Sequence, residues 1–277
     1  MVCEPARSAG VSAPTAGPSL AGRVAIVTAG SRGIGRGIAL ELGSAGAAVA
    51  LSYRRDASAA EETVAAIEAG GARAIAVRAD MSERSDIDAL AEAALSAFGY
   101  VDIIVNSAGD GGAGMGVVDT YPAELQRLMM VYTFSAARLA QLLLPQMRAR
   151  PRADIVMISS PRLGASSGSD AGHRMAIAAL EALALALADD EISHGVRVNI
   201  VTSGPVLSDQ AAHRARAELE RERLDRGRAA HRRGALPTPA DLARVVRFLV
   251  SEDASFVTGQ RIVVGGPVAS PETTGAA

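Results

Sequence analysis

The chain contains no lysine: all 28 basic residues among its 277 are arginine. A guanidinium does not give up its proton in a protein and forms no Schiff base, so every mechanism that needs a lysine is excluded. The Ala-, Gly- and Arg-rich composition is what a GC-rich coding sequence yields, so the absence is first a compositional habit. Only one cysteine is present, Cys3, and it has no intrachain partner, which excludes a disulfide framework. The net charge of −2 leaves no nucleic-acid footprint and no acidic tail. No apolar run reaches the roughly 18 residues of a membrane span. Met1 to Ser19 lacks the apolar stretch of a secretory signal. Of the four histidines, His194, His213 and His231 fall in turns or in a charged segment without metal-ligand spacing, so no metal site is expected. These absences point to a soluble, cytoplasmic protein that binds neither membrane nor nucleic acid.

What is present is a rhythm. Short apolar runs at Val24–Thr28, Ala48–Ser52, Ala74–Arg78, Val101–Asn106, Asp154–Ser159, Arg197–Val201 and Arg261–Val264 read as strands buried on both faces. Helical patterns lie between them at Ile34–Leu42, Ser58–Ala69, Ser85–Ala97, Pro122–Met147, Arg174–Ile192 and Pro239–Ser251. Repeated βα units with right-handed crossovers predict an α/β fold, a doubly wound parallel sheet of Rossmann type, in one domain over residues 21–267. Residues 1–20 read as a disordered leader and 268–277 as a flexible tail. One stretch breaks the pattern: Ser208 to Arg233 holds eight arginines against five acids. Its i,i+4 charge pairs suit an exposed helix, either a solvated face or a substrate lid over 208–234.

The first strand runs into Thr28-Ala-Gly-Ser-Arg-Gly-Ile-Gly35, which opens a helix. Glycines there let the backbone approach a pyrophosphate, and the helix start supplies N–H groups and a positive dipole. The spacing resembles the Thr-Gly-x-x-x-Gly-x-Gly turn of the short-chain dehydrogenase/reductase family, with Ala29 in place of the first glycine. Asp80 resembles that family's adenine-contacting Asp, followed by Met81. Asn106-Ser-Ala-Gly109 is similar to its Asn-Asn-Ala-Gly, and Gly195-Val-Arg-Val-Asn199 and Val257-Thr-Gly-Gln260 to later signatures. The resemblance spans about Gly22 to Gly266. It implies a dinucleotide held by Gly30, Ser31, Arg32, Gly33, Ile34, Gly35, Asp80, Met81, Asn106, Ala108 and Gly109. An NAD site needs an acid at the end of the second strand. Here that neighbourhood reads Ser52-Tyr-Arg-Arg55. In similar proteins such arginines hold a 2′-phosphate, so Arg32, Arg54 and Arg55 point to NADP(H), unless they are ordinary surface cations. The resemblance also implies a small-molecule substrate and a homodimer or homotetramer, through helices such as Leu139–Leu144 and Ala176–Ala188.

The family's proton relay uses a Ser, a Tyr 13 residues later, a Lys four beyond it, and an upstream Asn. In this chain Ser160 matches the Ser, but His173 stands at the Tyr spacing, Ile177 at the Lys spacing, and Tyr132 at the Asn position. No other tyrosine lies between Ser160 and Asn199, so no small shift restores the pair. An imidazole titrates near neutrality and acts as acid or base without help from a lysine. Ser160, His173 and Tyr132 are therefore the candidate catalytic residues. The competing readings are a helix-capping role for His173 and plain packing for Tyr132. Three functions stay open. The first expectation is non-redox proton chemistry (cyclisation, dehydration, elimination or isomerisation) on a carbonyl- or hydroxyl-bearing small molecule in bacterial specialised metabolism, with the dinucleotide not turned over. The second is an NADP(H)-dependent oxidoreductase in which His173 replaces the Tyr. The third is a non-catalytic binding or regulatory subunit.

Overall fold

A computed structural model describes residues 19–109, 115–160, 170–204, 206 and 236–265. The leader and tail fall almost wholly, and the charged 208–234 segment wholly, outside the described residues. The strands are β1 (Val24–Val27), β2 (Ala48–Tyr53), β3 (Ala74–Arg78), β4 (Ile103–Asn106), β5 (Ala153–Ser159), β6 (Val196–Ser203) and β7 (Arg261–Val264). All pair in parallel, in the order β3-β2-β1-β4-β5-β6-β7. The doubly wound parallel sheet expected from the sequence is the fold observed.

The near-continuous apolar character of the strands follows from two covered faces. Every residue of β5 and β6 is buried. Along β1 the side chains alternate: Val24 and Ile26 join one core cluster, Ala25 and Val27 the other. The first cluster is completed by helices α3 (Arg84–Phe98), α5 (Ser135–Met147) and α6 (Ala171–Glu191) through Leu90, Leu143 and Leu180. The second is completed by α1 (Gly33–Ser44), α2 (Ala57–Ala69) and α7 (Pro239–Leu249) through Ile38, Ile67 and Val246. Helices α1 and α7 approach closely because Gly37 has no side chain; a Cβ there would lie 2.8 Å from the Pro239 Cβ.

Most helix ends lie within two residues of the sequence expectation, and two helices depart further. The pattern over Pro122–Met147 predicts one helix, but α4 (Pro122–Met129) passes into a π-helical turn at Met130–Phe134 before α5 begins. Side chains bond to the backbone at this turn: Asn106 Nδ2 donates to the Tyr132 carbonyl at 3.1 Å and Ser135 Oγ to that of Val131 at 2.7 Å. Thr133 Oγ1 in turn donates to the Ala176 carbonyl at 3.0 Å, tying the turn to α6. The length and apolarity of this helical run serve the core, where Leu139, Leu143 and Met147 are fully buried. The second difference is at α6, which starts at Ala171 rather than Arg174. The Asp170 carboxylate accepts the His173 N–H at 3.1 Å and caps it. The capping reading of the His173 side chain is thereby corrected: the cap is Asp170, and the imidazole is engaged elsewhere.

Candidate active site

Strand order reverses between β1 and β4, so the carboxyl ends of these neighbours open a crevice, the usual ligand position of an open α/β sheet. Thr28, just past β1, holds the crevice together. Its hydroxyl accepts the Ser107 and Ala108 N–H groups at 2.9 and 2.8 Å and lies 3.3 Å from the Asn106 side-chain oxygen. The β1–α1 turn is equally tight. Ala29 N–H donates to Ser52 Oγ at 2.9 Å and Gly30 N–H to the Ser52 carbonyl at 2.9 Å. A Cβ on Gly30 would meet the Leu51 Cβ at 2.7 Å, and one on Gly35 would meet the Ala29 carbonyl oxygen at 2.3 Å. Both positions accept only glycine.

Above this turn lies a cleft of about 180 Å³ lined by Ala29, Ser31, Arg32, Tyr53, Arg54, Arg55, Asp80, Met81, Ala108, Gly109 and others. Eight of the residues expected to hold a cofactor thus share one wall. Gly30, Gly33, Ile34, Gly35 and buried Asn106 shape it from beneath as turn, helix start and loop anchor. Asp80 accepts the Ser82 N–H and hydroxyl at 3.0 and 2.7 Å. Burial alone would raise its carboxyl; the Ser82 hydrogen bonds and the Arg54 and Arg127 guanidiniums outweigh burial and hold it below the usual carboxylate value. The donor set therefore fits a dinucleotide: guanidiniums and a helix start for phosphates, a carboxylate for an exocyclic amine, and a glycine turn that lets backbone come close.

The three candidate catalytic residues converge at the next strand. Ser160 follows the end of β5, one residue beyond the expected strand terminus, and its Oγ lies 2.8 Å from His173 Nε2. The His173 ring meets the Tyr132 ring edge-on, with centroids 5.3 Å apart and planes at 74°. Tyr132 is buried, and its ring fills the space beside Gly109, where a Cβ would lie 3.0 Å from both Cε1 and the phenol oxygen. Contacts therefore run unbroken from the cleft through Gly109 and Tyr132 to His173 and Ser160. Ile177, at the Lys spacing, is 2% exposed in the same core. Arg174 is exposed. No group of three or more acids, histidines or cysteines able to hold a metal occurs among the described residues.

A family model described as enoyl-(acyl carrier protein) reductase matches residues 28–267. The 7α-hydroxysteroid dehydrogenase of Escherichia coli is 34% identical over 247 residues, covering 89% of this chain and 94% of that protein. The chain belongs to the short-chain dehydrogenase/reductase family. This short-chain dehydrogenase/reductase superposes on a 7α-hydroxysteroid dehydrogenase complexed with NADH and 7-oxo glycochenodeoxycholic acid. The TM-score is 0.80 at 32% identity, over 90% of this chain and 94% of that one. It also superposes on the angucycline C-6 ketoreductase LanV with bound NADP, with a TM-score of 0.81 at 34% identity, over 91% and 97% of the two chains. These relatives overturn the first functional expectation. They are dehydrogenases and a ketoreductase, and the two solved structures hold nicotinamide dinucleotides, so redox chemistry replaces the non-redox reading.

Several residues that build the site had no role assigned from the sequence. Thr28 and Ser52 stand within the motifs already quoted, as small polar residues at the ends of apolar strands, and that position was the signal for their loop-anchoring hydrogen bonds. Ser159, Glu181 and Arg261 form a second group under Ser160. An acid inside the Ala/Leu run of α6 was the signal for Glu181.

Proposed function

We propose that this short-chain dehydrogenase/reductase interconverts a ketone and an alcohol on a small molecule, with NADP(H) as cofactor and His173 in the place of the tyrosine. The observation that carries this reading is the 2.8 Å contact between Ser160 Oγ and His173 Nε2 at the end of the crevice. Side chains this close to one another can both turn their hydrogen bonds onto a single carbonyl oxygen that lies beside the pair. Ser160 orients that oxygen by hydrogen bonding. His173 in its imidazolium form hands it a proton in reduction and takes the proton back in oxidation. When bound, the nicotinamide supplies or accepts the hydride. Tyr132 braces the imidazole through the edge-on ring contact. In this reading the Tyr-x-x-x-Lys pair is absent, with His173 and Ile177 at those spacings, and no ammonium assists the proton transfer. Arg32, Arg54 and Arg55 along the cleft support NADP(H) over NAD(H).

The test is reduction of a ketone panel with NADPH and with NADH. His173→Ala should lower kcat by about 10²–10⁴-fold, the usual contribution of a general acid. Reduction should slow and alcohol oxidation quicken as pH rises, because the first needs imidazolium and the second neutral imidazole. Turnover unchanged in His173→Ala defeats the assignment, and Tyr132→Phe, which keeps the ring, should retain activity. A homodimer or homotetramer through α5 and α6 belongs to the same reading. It is supported by the groove of Ala137, Ala140, Leu144, Leu183 and Leu187 between these helices, and sedimentation of the full chain tests it.

A further inference from the structure

We propose that Glu181 is a positioning residue: it latches α6 to β5 and so sets the distance between His173 and Ser160. This rests on the reading of those two residues as the proton-handling pair. Ser159 Oγ donates to Glu181 Oε1 at 2.6 Å, and the two residues are only 2% and 6% exposed. Ser159 is bonded directly to Ser160. Glu181 lies eight residues beyond His173 on the same helix, about 12 Å along its axis. One rigid helix thus meets one strand end twice, through His173 on Ser160 and through Glu181 on Ser159. The Glu181 contact is buried and involves a carboxylate, which makes it the stronger of the two. A shift of α6 along β5 has to break it.

Packing alone does not call for an acid here. The buried neighbours of Glu181 along α6 are Ala176, Ile177, Leu180, Ala184 and Ala188, and an aliphatic side chain suits such a face better. Arg261 compensates the carboxylate. Its Nε sits 3.4 Å from Glu181 Oε1 and donates to Thr202 Oγ1 at 3.0 Å, so the latch extends to β6 and β7. The arrangement is a charge-balanced anchor beneath the residue next to Ser160.

The experiment compares the full-length protein with Glu181→Leu, Glu181→Gln and Ser159→Ala. The first readout is the nitrogen NMR signature of the His173 imidazole, which needs no substrate and is assigned with His173→Ala among only four histidines. The second is kcat against KM for whichever ketone the protein reduces. Glu181→Leu should shift the His173 signature and lower kcat by about 10²-fold, the scale of a misplacement near 1 Å, with KM and NADPH affinity unchanged. Glu181→Gln keeps an acceptor oxygen and should preserve both readouts. Leu249→Ala, which loosens α7 on the other face of the sheet, should lower the melting temperature without moving the His173 signature. Should Glu181→Leu fail to fold, Ser159→Ala removes only the donor and is expected to give the same shift. A wild-type signature and kcat in the latch variants overturns the proposal, as does an equal shift in Leu249→Ala. A protein that reduces no ketone removes the oxidoreductase reading, yet the NMR comparison still decides the latch.

Discussion

Ala29 carries a side chain where the chain turns left-handed, at φ 52°. That conformation costs an L-residue about 1–2 kcal/mol, and glycine adopts it freely. Ala29→Gly should therefore raise the melting temperature by about 2–4 °C for each kcal/mol relieved, read by calorimetry on the apo chain. An unchanged or lower value would mean that the added freedom of the unfolded glycine cancels the relief. The same scale decides what a charge would do at the position with the Lys spacing. Ile177 is 2% exposed, so Ile177→Lys would bury an ammonium in an apolar cluster. Large destabilisation, seen as a fall in urea midpoint, is the expected outcome. The Ser160–His173 pairing was legible because a 13-residue spacing from strand end to helix start is countable in a sequence. The ring contact of Tyr132 with Gly109 was not, since it depends on how α4 and α5 are wound.

At the scale of elements, α7 shows how one carboxylate ends a loop and starts a helix. Asp241 accepts the Thr238 N–H at 2.8 Å and the Thr238 hydroxyl at 2.7 Å, and pairs with Arg244 at 2.8 Å. The Thr238 hydrogen bonds, backbone first, hold its carboxyl below the usual value, with Arg244 adding to them against burial. The sign of the linkage follows. A depressed native value means the unfolded chain binds the proton more readily, so this stabilisation is complete above the unfolded carboxyl range and fades as pH falls through the lower native value. Melting curves of the wild type and Asp241→Asn should differ by a few degrees near pH 7, the scale of about 1 kcal/mol for a helix cap, begin to converge below about pH 4, and meet only below the lowered native value. A gap that persists in acid would assign the effect to packing instead. Most elements were legible because parallel strands buried on both faces leave unbroken apolar runs. The π turn at Met130–Phe134 was not. Its apolar residues continue the helical spacing, and two of the contacts that bond it, the Asn106 side chain and the Ala176 carbonyl, come from elsewhere in the chain.

Across the whole molecule, the candidate site and the ionic anchorage occupy opposite ends of the sheet. The cleft, Ser160 and His173 sit at the carboxyl ends of the strands. At the amino ends, Arg23, Arg150, Arg152 and Arg197 surround Asp102 and Asp154, both almost fully buried. Asp154 binds Arg23 at 2.9 Å, Arg152 at 3.3 Å and Arg197 in closer contact, joining segments that precede or begin β1, β5 and β6. Burial draws the Arg197 guanidinium below its ordinary value, the Asp154 charge draws it back, and the neighbouring Arg152 and Arg23 push it down again. Taking away that carboxylate would leave several buried cations facing one another. Breaking such a buried pair costs about 3–5 kcal/mol, or roughly 6–20 °C in melting temperature for a chain of this length. Asp154 stands six residues before Ser160, about 20 Å along the strand, so the loss should not reach the cleft. Asp154→Asn is therefore expected to melt far lower than the wild type while binding NADPH, by calorimetry below its melting range, with the same affinity. A matching loss of NADPH affinity would show that the two ends of the sheet are coupled, and that the ion cluster tunes the site as well as holding the strands.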